Sequence, residues 1–207
     1  MLEVKNLSIT YEDKIALSNF SLNLLDGELL CIMGESGSGK TSLLNAIMGF
    51  VDFRGEIFFN GKKINESTIN EFRTRVSYIP QELNLPVETV EEMVKLPFSF
   101  RVNHHVGYDK RKLMNYWEIL GLEPELYDKR VTEISGGQRQ RIMVSVAGLL
   151  AKPLMLVDEP TSALDFKSAA NVIKFLRLLQ AEENISIMSI THHEKFANAC
   201  DRIVQLR

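Results

Sequence analysis

Apolar and polar residues alternate along the first 25 positions of the chain, in the period-two pattern of strands that bury one face. The alternation predicts two strands within residues 2–25, with a bulge or a slip of register near Ser18. The apolar residues on one side of the first strand are Leu2, Val4, Leu7 and Ile9. A further strand is predicted over 55–62, where the Asn-Gly dipeptide indicates a tight turn.

Continuous apolar runs, which are typical of fully buried strands, replace the alternation further along the chain. Such runs lie at 26–33, 75–81, 153–160, 185–193 and 201–207. Helices are predicted between them at 40–50, around 172–179, and at 140–151, where nearly every side is apolar. Because strands and helices alternate, we expect an α/β fold with a mostly parallel sheet that carries helices on both faces.

The stretch 82–134 has a different character and is interpreted as a small helical insertion. Val90 and Val94 predict a short helix, and 96–108 is expected to be a loop rich in exposed aromatic residues. The spacing i, i+3, i+4, i+7 predicts a second helix that contains Leu113, Tyr116, Trp117 and Leu120. We therefore expect one domain over 1–207, with a core built from 1–81 and 135–207.

Composition and charge do not change this predicted fold, but they limit the kinds of partner that the protein is expected to bind. The 207 residues are 45% hydrophobic and 25% charged, as in an ordinary soluble domain, and the net charge of −3 gives no reason to expect nucleic acid. No apolar run approaches the roughly 20 residues that span a bilayer, so a membrane role would need a second protein. Cys31 and Cys200 lie in apolar segments and are interpreted as reduced core residues.

The first candidate site is the run GESGSGKT over 34–41, which matches G-x-x-x-x-G-K-[ST]. It follows a predicted strand and opens a predicted helix, which is the context of a phosphate-binding loop. Its backbone amides would cradle phosphates, Lys40 would add positive charge, and the Thr41 hydroxyl would ligate Mg²⁺. The residues expected at this site are Gly34, Glu35, Ser36, Gly37, Ser38, Gly39, Lys40, Thr41 and Ser42.

Two carboxylates follow the buried run LMLV and form the second candidate site. They would lie at the carboxyl end of a parallel strand, where ligands bind in open α/β sheets. Asp158 is expected to hold Mg²⁺ and Glu159 to act as the base that polarises the attacking water. Phosphate loop and carboxylates together are compatible with small-molecule kinases, GTPases, recombinases and transporter motors. A GTPase would normally carry N-K-x-D, which is missing, and no kinase lid or acceptor site is recognisable.

A third candidate site is the run ISGGQRQR over 134–141, where a serine and two glycines precede the long apolar helix. A serine there caps the helix, and the amides of its first turn attract anions. The run closely resembles the signature motif of the ABC ATPases, usually written L-S-G-G-Q, and the resemblance covers the whole chain. Ile134 replaces the usual leucine, which keeps an apolar anchor of equal size.

Other landmarks of the ABC ATPases occur in the expected order. Tyr11 lies where the family stacks an aromatic ring on adenine, and Gln81 matches the Q-loop before the helical insertion. The run SALD over 162–165 matches the D-loop, and His192 matches the switch histidine. By this resemblance, Gln81 would contact Mg²⁺ or the attacking water, and His192 would take part in catalysis.

The resemblance implies a P-loop NTPase (RecA-like) core with an antiparallel β subdomain and an inserted α-helical subdomain. It implies ATP and Mg²⁺ as cofactors and a head-to-tail dimer, of identical or different chains, around two nucleotides. The signature of one chain would cover the γ phosphate that the other chain's phosphate loop holds. The residues expected to face nucleotide in this way are Ser135, Gly136, Gly137, Gln138 and Asp165.

The resemblance further implies a separate membrane permease and a location at the cytoplasmic face of the cell membrane. The segment 96–103, with Trp117, is the expected docking surface. The sequence after the Q-loop is also similar to that of bacterial iron-export ATPases, and lipoprotein or antimicrobial-peptide exporters are the next alternatives. A non-transport ABC ATPase, active in iron–sulfur assembly or on nucleic acid, is the alternative from another class.

Overall fold

A computed structural model describes residues 1–12, 14–83, 85–162 and 164–206. Ala163, within the expected D-loop, and Arg207, at the end of the last expected strand, lie outside this range. The strands are β1 (Leu2–Tyr11), β2 (Lys14–Leu24), β3 (Leu29–Met33), β4 (Arg54–Phe59), β5 (Lys62–Lys63), β6 (Val76–Ile79), β7 (Leu154–Asp158), β8 (Ser186–Ile190) and β9 (Arg202–Gln205). The helices are α1 (Lys40–Ile47), α2 (Ile69–Thr74), α3 (Val90–Ser99), α4 (Lys110–Leu120), α5 (Gly136–Leu150), α6 (Phe166–Glu183) and α7 (Glu194–Ala197).

The alternating segments form an antiparallel sheet with the order β2-β1-β4-β5. The predicted slip near Ser18 is confirmed, because the register between β1 and β2 shifts there and Asn19 adopts a left-handed φ of 47°. The predicted tight turn is also present. Asn60 and Gly61 have φ values of 49° and 75°, as a turn with two left-handed central residues requires.

The continuous apolar runs form a second, entirely parallel sheet with the order β6-β7-β8-β3-β9. Successive residues of β7 pack into different cores: Leu154 and Leu156 join the antiparallel sheet and α1, whereas Met155 and Val157 join α5 and α6. Both faces of this sheet are therefore covered, which explains why its strands are apolar without alternation. The expected α/β architecture is confirmed.

Helices and 3₁₀ turns occupy the chain between β6 and α5, where the insertion was expected. One prediction for this stretch was wrong: residues 96–99 continue α3 and are not a loop. A capping box between Thr89 and Glu92 starts this helix, and Pro97 is tolerated inside it, near its end. Two short helices, α2 and α7, carried too few apolar residues to be predicted.

Trp117 is fully buried, so it cannot belong to the expected docking surface. Its indole nitrogen donates a 3.1 Å hydrogen bond to the Ser145 hydroxyl of α5, which joins the insertion to the core. By contrast, Phe100 is 50% exposed and Val102 is 40% exposed. The aromatic residues of the insertion therefore divide between its own core and its surface.

Cys31 and Cys200 are both free thiols, and Cys31 is buried, as expected from the sequence. Within the described ranges, none of the helices combines the length and the apolar character needed to cross a bilayer.

Candidate functional site

The loop between β3 and α1 is shaped by glycines in conformations that other residues rarely adopt. Gly39 has a φ of 88°, and a Cβ atom at this position would lie 2.3 Å from the carbonyl oxygen of Ala16. That distance is far below van der Waals contact, so Gly39 is required both by its backbone angle and by the approach of β2. The loop ends directly in α1, whose first backbone amides have no partner within the helix.

Lys40 is buried, and its ammonium group bends back over the loop. Its Nζ atom donates to the carbonyl oxygens of Gly34 and Glu35 at 2.8 and 2.7 Å. These bonds hold the charge at the mouth of the loop, where an incoming anion would meet it. The Ser38 hydroxyl is buried in the same loop and makes no hydrogen bond within the described structure.

Thr41 and Asp158 meet at the carboxyl edge of the parallel sheet, although 116 positions separate them in the chain. The Thr41 hydroxyl donates to Asp158 Oδ2 at 3.0 Å, whereas Asp158 Oδ1 is buried without a hydrogen bond in the described chain. Burial raises the pKa of the Asp158 carboxyl above its usual value. A hydroxyl and a carboxylate with a free buried oxygen are ligands suited to Mg²⁺, so these residues fit the expected ion.

Glu159, the next residue, combines a strained backbone with a nearly buried carboxylate. Its φ of 50° is unusual for a residue with a Cβ atom. The carboxylate oxygens Oε1 and Oε2 lie 3.0 and 2.9 Å from Nδ1 of His192, which follows β8. His192 in turn stacks on His193, with ring centroids 4.2 Å apart. The expected base and the expected switch histidine are therefore in direct contact.

Gly39, Lys40, Thr41, Glu159 and His192 line one cavity of about 640 Å³, which is of a size for a small-molecule ligand, whereas Ser38 and Asp158 are not among its lining residues. Tyr11 stands at its rim, 43% exposed, and its hydroxyl donates to Ser42 at 3.2 Å. The expected residues that line the cavity are Tyr11, Gly34, Glu35, Ser36, Gly37, Gly39, Lys40, Thr41, Ser42, Gln81, Glu159 and His192. Lys14 and Ala16 line it as well, and the sequence had not singled out either residue.

The signature residues lie outside this cavity. Ser135 caps α5 by accepting a bond from the Gln138 amide at 3.1 Å, and Gln138 Oε1 accepts from the Ser135 amide at 2.8 Å. Ile134 is buried, as expected of an anchor, whereas Ser135 and Gly136 are exposed. Asp165 also lies outside this cavity. It caps α6 by accepting from the amide and the hydroxyl of Ser168, and these bonds lower the pKa of the Asp165 carboxyl.

Gln140 is a residue near the site that sequence analysis missed. The apolar run 140–151 predicts a buried helix but no polar contact from it. The amide side chain of Gln140 is buried in that helix and donates to the backbone oxygen of Glu159 at 2.9 Å. The one feature of the sequence that could have indicated this contact was a polar residue at a buried position of the helix.

A family model described as ABC transporter matches residues 17–162, which is more than half of the chain. The chain belongs to the ABC transporter family.

Two relatives support the assignment over nearly their full lengths. The uncharacterized ABC transporter ATP-binding protein MJ0796 of Methanocaldococcus jannaschii is 33% identical over 220 residues, covering 100% of this chain and 93% of the relative. YxdL, an ABC transporter ATP-binding protein of Bacillus subtilis, is 33% identical over 217 residues, covering 100% of this chain and 83% of the relative.

The solved structures agree with this assignment. The dimer of the ATP-binding cassette MJ0796 in a post-hydrolysis state, bound to ADP and Pi, is similar with a TM-score of 0.86 at 29% identity. The alignment covers 100% of this chain and 94% of that one. The protein is thus an ABC transporter ATP-binding subunit and an ATPase, and the cavity around Lys40 is its candidate nucleotide site.

Substituting Gly39→Ala should reduce the affinity of the ABC ATPase for ATP by about tenfold or more, or about 1.4 kcal/mol. The added methyl group would collide with the Ala16 carbonyl and force the phosphate loop to move. Titration with a fluorescent ATP analogue measures the change. Gly61→Ala is the matched control, since Gly61 has a similar φ of 75° but open space around it. Equal affinities for Gly39→Ala and the unchanged protein would contradict this account of the loop.

Proposed function

We propose that the protein is the motor of an ABC transporter in which two chains pair head-to-tail around two MgATP molecules. Hydrolysis drives a separate membrane permease, and the ATPase sits at the cytoplasmic face of the membrane through that permease. The observation that carries the proposal is the placement of the signature, which presents a helix N-terminus away from the chain's own nucleotide cavity.

Gly136 strengthens the case for a partner above the signature. It lies in α5 without a left-handed φ, and a Cβ atom there would meet nothing within 4 Å. Gly136 is the first residue of α5, and the chain's own packing does not require a glycine here. A ligand that comes close to the backbone from outside does require it, and the positive end of α5 suits a phosphate. The second chain's nucleotide is such a ligand.

The chemistry follows from the residues of the cavity. The loop amides and Lys40 bind the β and γ phosphates, and Tyr11 receives the adenine at the rim. Thr41 and Asp158 would hold Mg²⁺, with Gln81 at the cavity wall, and the bound ion would neutralise charge on the phosphates. Glu159 takes the proton from the attacking water. His192 contacts the Glu159 carboxylate and orients it.

The permease surface is proposed on the helical insertion. A groove of about 350 Å³ begins at Leu83, two residues after Gln81. Its lining residues are Leu83, Leu85, Pro86, Met93, Val131 and Arg139. Phe100 and Val102 add exposed apolar area at the end of α3. A permease segment bound here would be two residues from Gln81, so a movement of the insertion would be transmitted to the nucleotide cavity.

The transported substrate is a narrower question. Export of metal, iron in particular, is the hypothesis to test first, because the sequence over 88–103 is similar to the corresponding stretch of iron-export ATPases. Cells that lack the protein would then accumulate iron, which elemental analysis measures.

Substituting Glu159→Gln should lower ATP turnover by about 10²–10⁴, because the amide keeps the size of the side chain but cannot accept the proton. ATP binding should be unchanged, and an ATP-bound dimer should accumulate. Phosphate release and size-exclusion chromatography with ATP measure the two effects. Turnover near that of the unchanged protein would exclude Glu159 as the base.

Head-to-tail pairing predicts rescue between two defective variants. Gly136→Asp should fold and bind ATP as a monomer, since the position is open and a negative charge suits a helix N-terminus. It should block hydrolysis in the dimer, because its carboxylate would face the partner's γ phosphate. Mixed with Lys40→Ala, it should regain activity, since about half of the dimers then contain one intact site.

Gly136→Ala is the control for the added Cβ atom, and it should lose less activity than Gly136→Asp because it brings no charge to the partner's γ phosphate. A Gly136→Asp monomer that fails to bind ATP would place the signature in its own chain's site and contradict the proposed pairing. Lack of rescue with intact ATP binding would show instead that both sites must be functional for turnover.

Substituting Phe100→Ser should release the ATPase from membranes that contain its permease, because it removes an exposed apolar anchor. Leu25→Ser is the matched control, since Leu25 is 58% exposed on another surface. The measurement is the fraction of each variant that sediments with membranes when it replaces the unchanged protein in its native cells. Equal sedimentation of both variants with the unchanged protein would place the docking surface elsewhere.

A further inference from the structure

Gln140 joins the signature helix to the turn that carries Glu159. It lies four residues after Gly136, or about 6 Å further along the axis of α5 at 1.5 Å per residue. Its side chain is only 4% exposed, and its Nε2 donates to the Glu159 carbonyl at 2.9 Å. Burying an amide is costly unless it is hydrogen-bonded, so this bond is a defined feature of the core.

The hydrogen bond from Gln140 stabilises a strained backbone conformation at Glu159. Glu159 has a left-handed φ of 50°, which costs a residue with a Cβ atom about 1–2 kcal/mol. Its amide donates to the Ile190 carbonyl at 2.9 Å, and its own carbonyl accepts from Gln140, from the Ser162 hydroxyl at 3.2 Å and from the Ser162 amide at 3.3 Å. Strained conformations persist only where the surroundings hold them, and Gln140 provides the shortest of the side-chain bonds to this carbonyl.

We infer that Gln140 is a positioning residue for Glu159: it holds the left-handed turn that aims the carboxylate into the nucleotide cavity. The inference rests on the proposed function in one respect, since it takes Glu159 as the base. It also gives the signature helix a second role. The helix whose first turn faces the partner's nucleotide reaches, one turn later, the base of its own chain's site.

A purely structural role and a positioning role predict different effects on kcat. Three variants distinguish the two roles. Gln140→Met keeps an unbranched side chain of similar volume but has no donor. Gln140→Leu also removes the donor, with a second apolar shape, so that an effect common to both variants does not depend on the fit of one side chain. Ser145→Ala is the matched control, because it removes a buried hydrogen bond of the same helix, from Trp117, in which Glu159 takes no part.

Loss of positioning should lower kcat by about tenfold to a hundredfold in both Gln140 variants. The ATP affinity of the monomer should stay within about twofold of the unchanged protein. Ser145→Ala should lower the melting temperature but leave kcat nearly unchanged. A Gln140→Met variant as active as the unchanged protein would overturn the inference, because shape alone would then suffice.

A double-mutant cycle tests whether Gln140 acts through Glu159. In a Glu159→Gln background, Gln140→Met should reduce the residual rate by less than about twofold, because the base is already lost. A full multiplicative loss in that background would overturn the inference. Failure of the proposed function is a separate outcome: Glu159→Gln alone would then retain turnover. Failure of this inference alone would leave Glu159→Gln inactive and Gln140→Met active.

Discussion

The parallel pairing of β7, β8 and β3 determines where the groups of the site lie. These strands are neighbours in the sheet, and parallel strands end at one edge. The phosphate loop follows β3, the carboxylates close β7, and His192 follows β8. Each strand is buried on both faces, so a change of register would move apolar side chains out of both cores. Packing therefore positions the polar groups.

The edge of the sheet also concentrates features that folding alone does not favour. Glu159 has a left-handed φ, Asp158 Oδ1 is buried without a hydrogen bond in the described structure, and Gly39 leaves no room for a Cβ atom. Such features cost stability and are found at functional sites, where the surroundings hold them. Here the parallel sheet, α1 and α5 are those surroundings.

The start of α5 has the opposite character, because it is complete in itself and yet faces outward. Ser135 and Gln138 satisfy each other's backbone amides, so the helix needs no further cap from its own chain. Gly136 nevertheless keeps the surface above the helix open. This outward-facing helix start is the feature on which the proposed pairing with a second copy or a related chain rests. The bond from Gln140 to Glu159 links this helix to the turn beside the candidate nucleotide site.

Local sequence determined most elements and the chemistry that they carry. Continuous apolar runs predicted the parallel strands, glycines before Lys40 predicted the phosphate loop, and Ser135 predicted the cap of α5, because period, backbone freedom and capping are local properties. Residues 96–99 were predicted wrongly, because a loop-like sequence with Pro97 becomes helical as part of α3, which packs against α5 and the 3₁₀ turn Pro124–Asp128. Only the tertiary structure decided that Trp117 is buried and that Gln140 bonds to Glu159. These contacts join segments separated in the chain, and the free energy of burying or pairing a side chain depends on neighbours that its own sequence does not name.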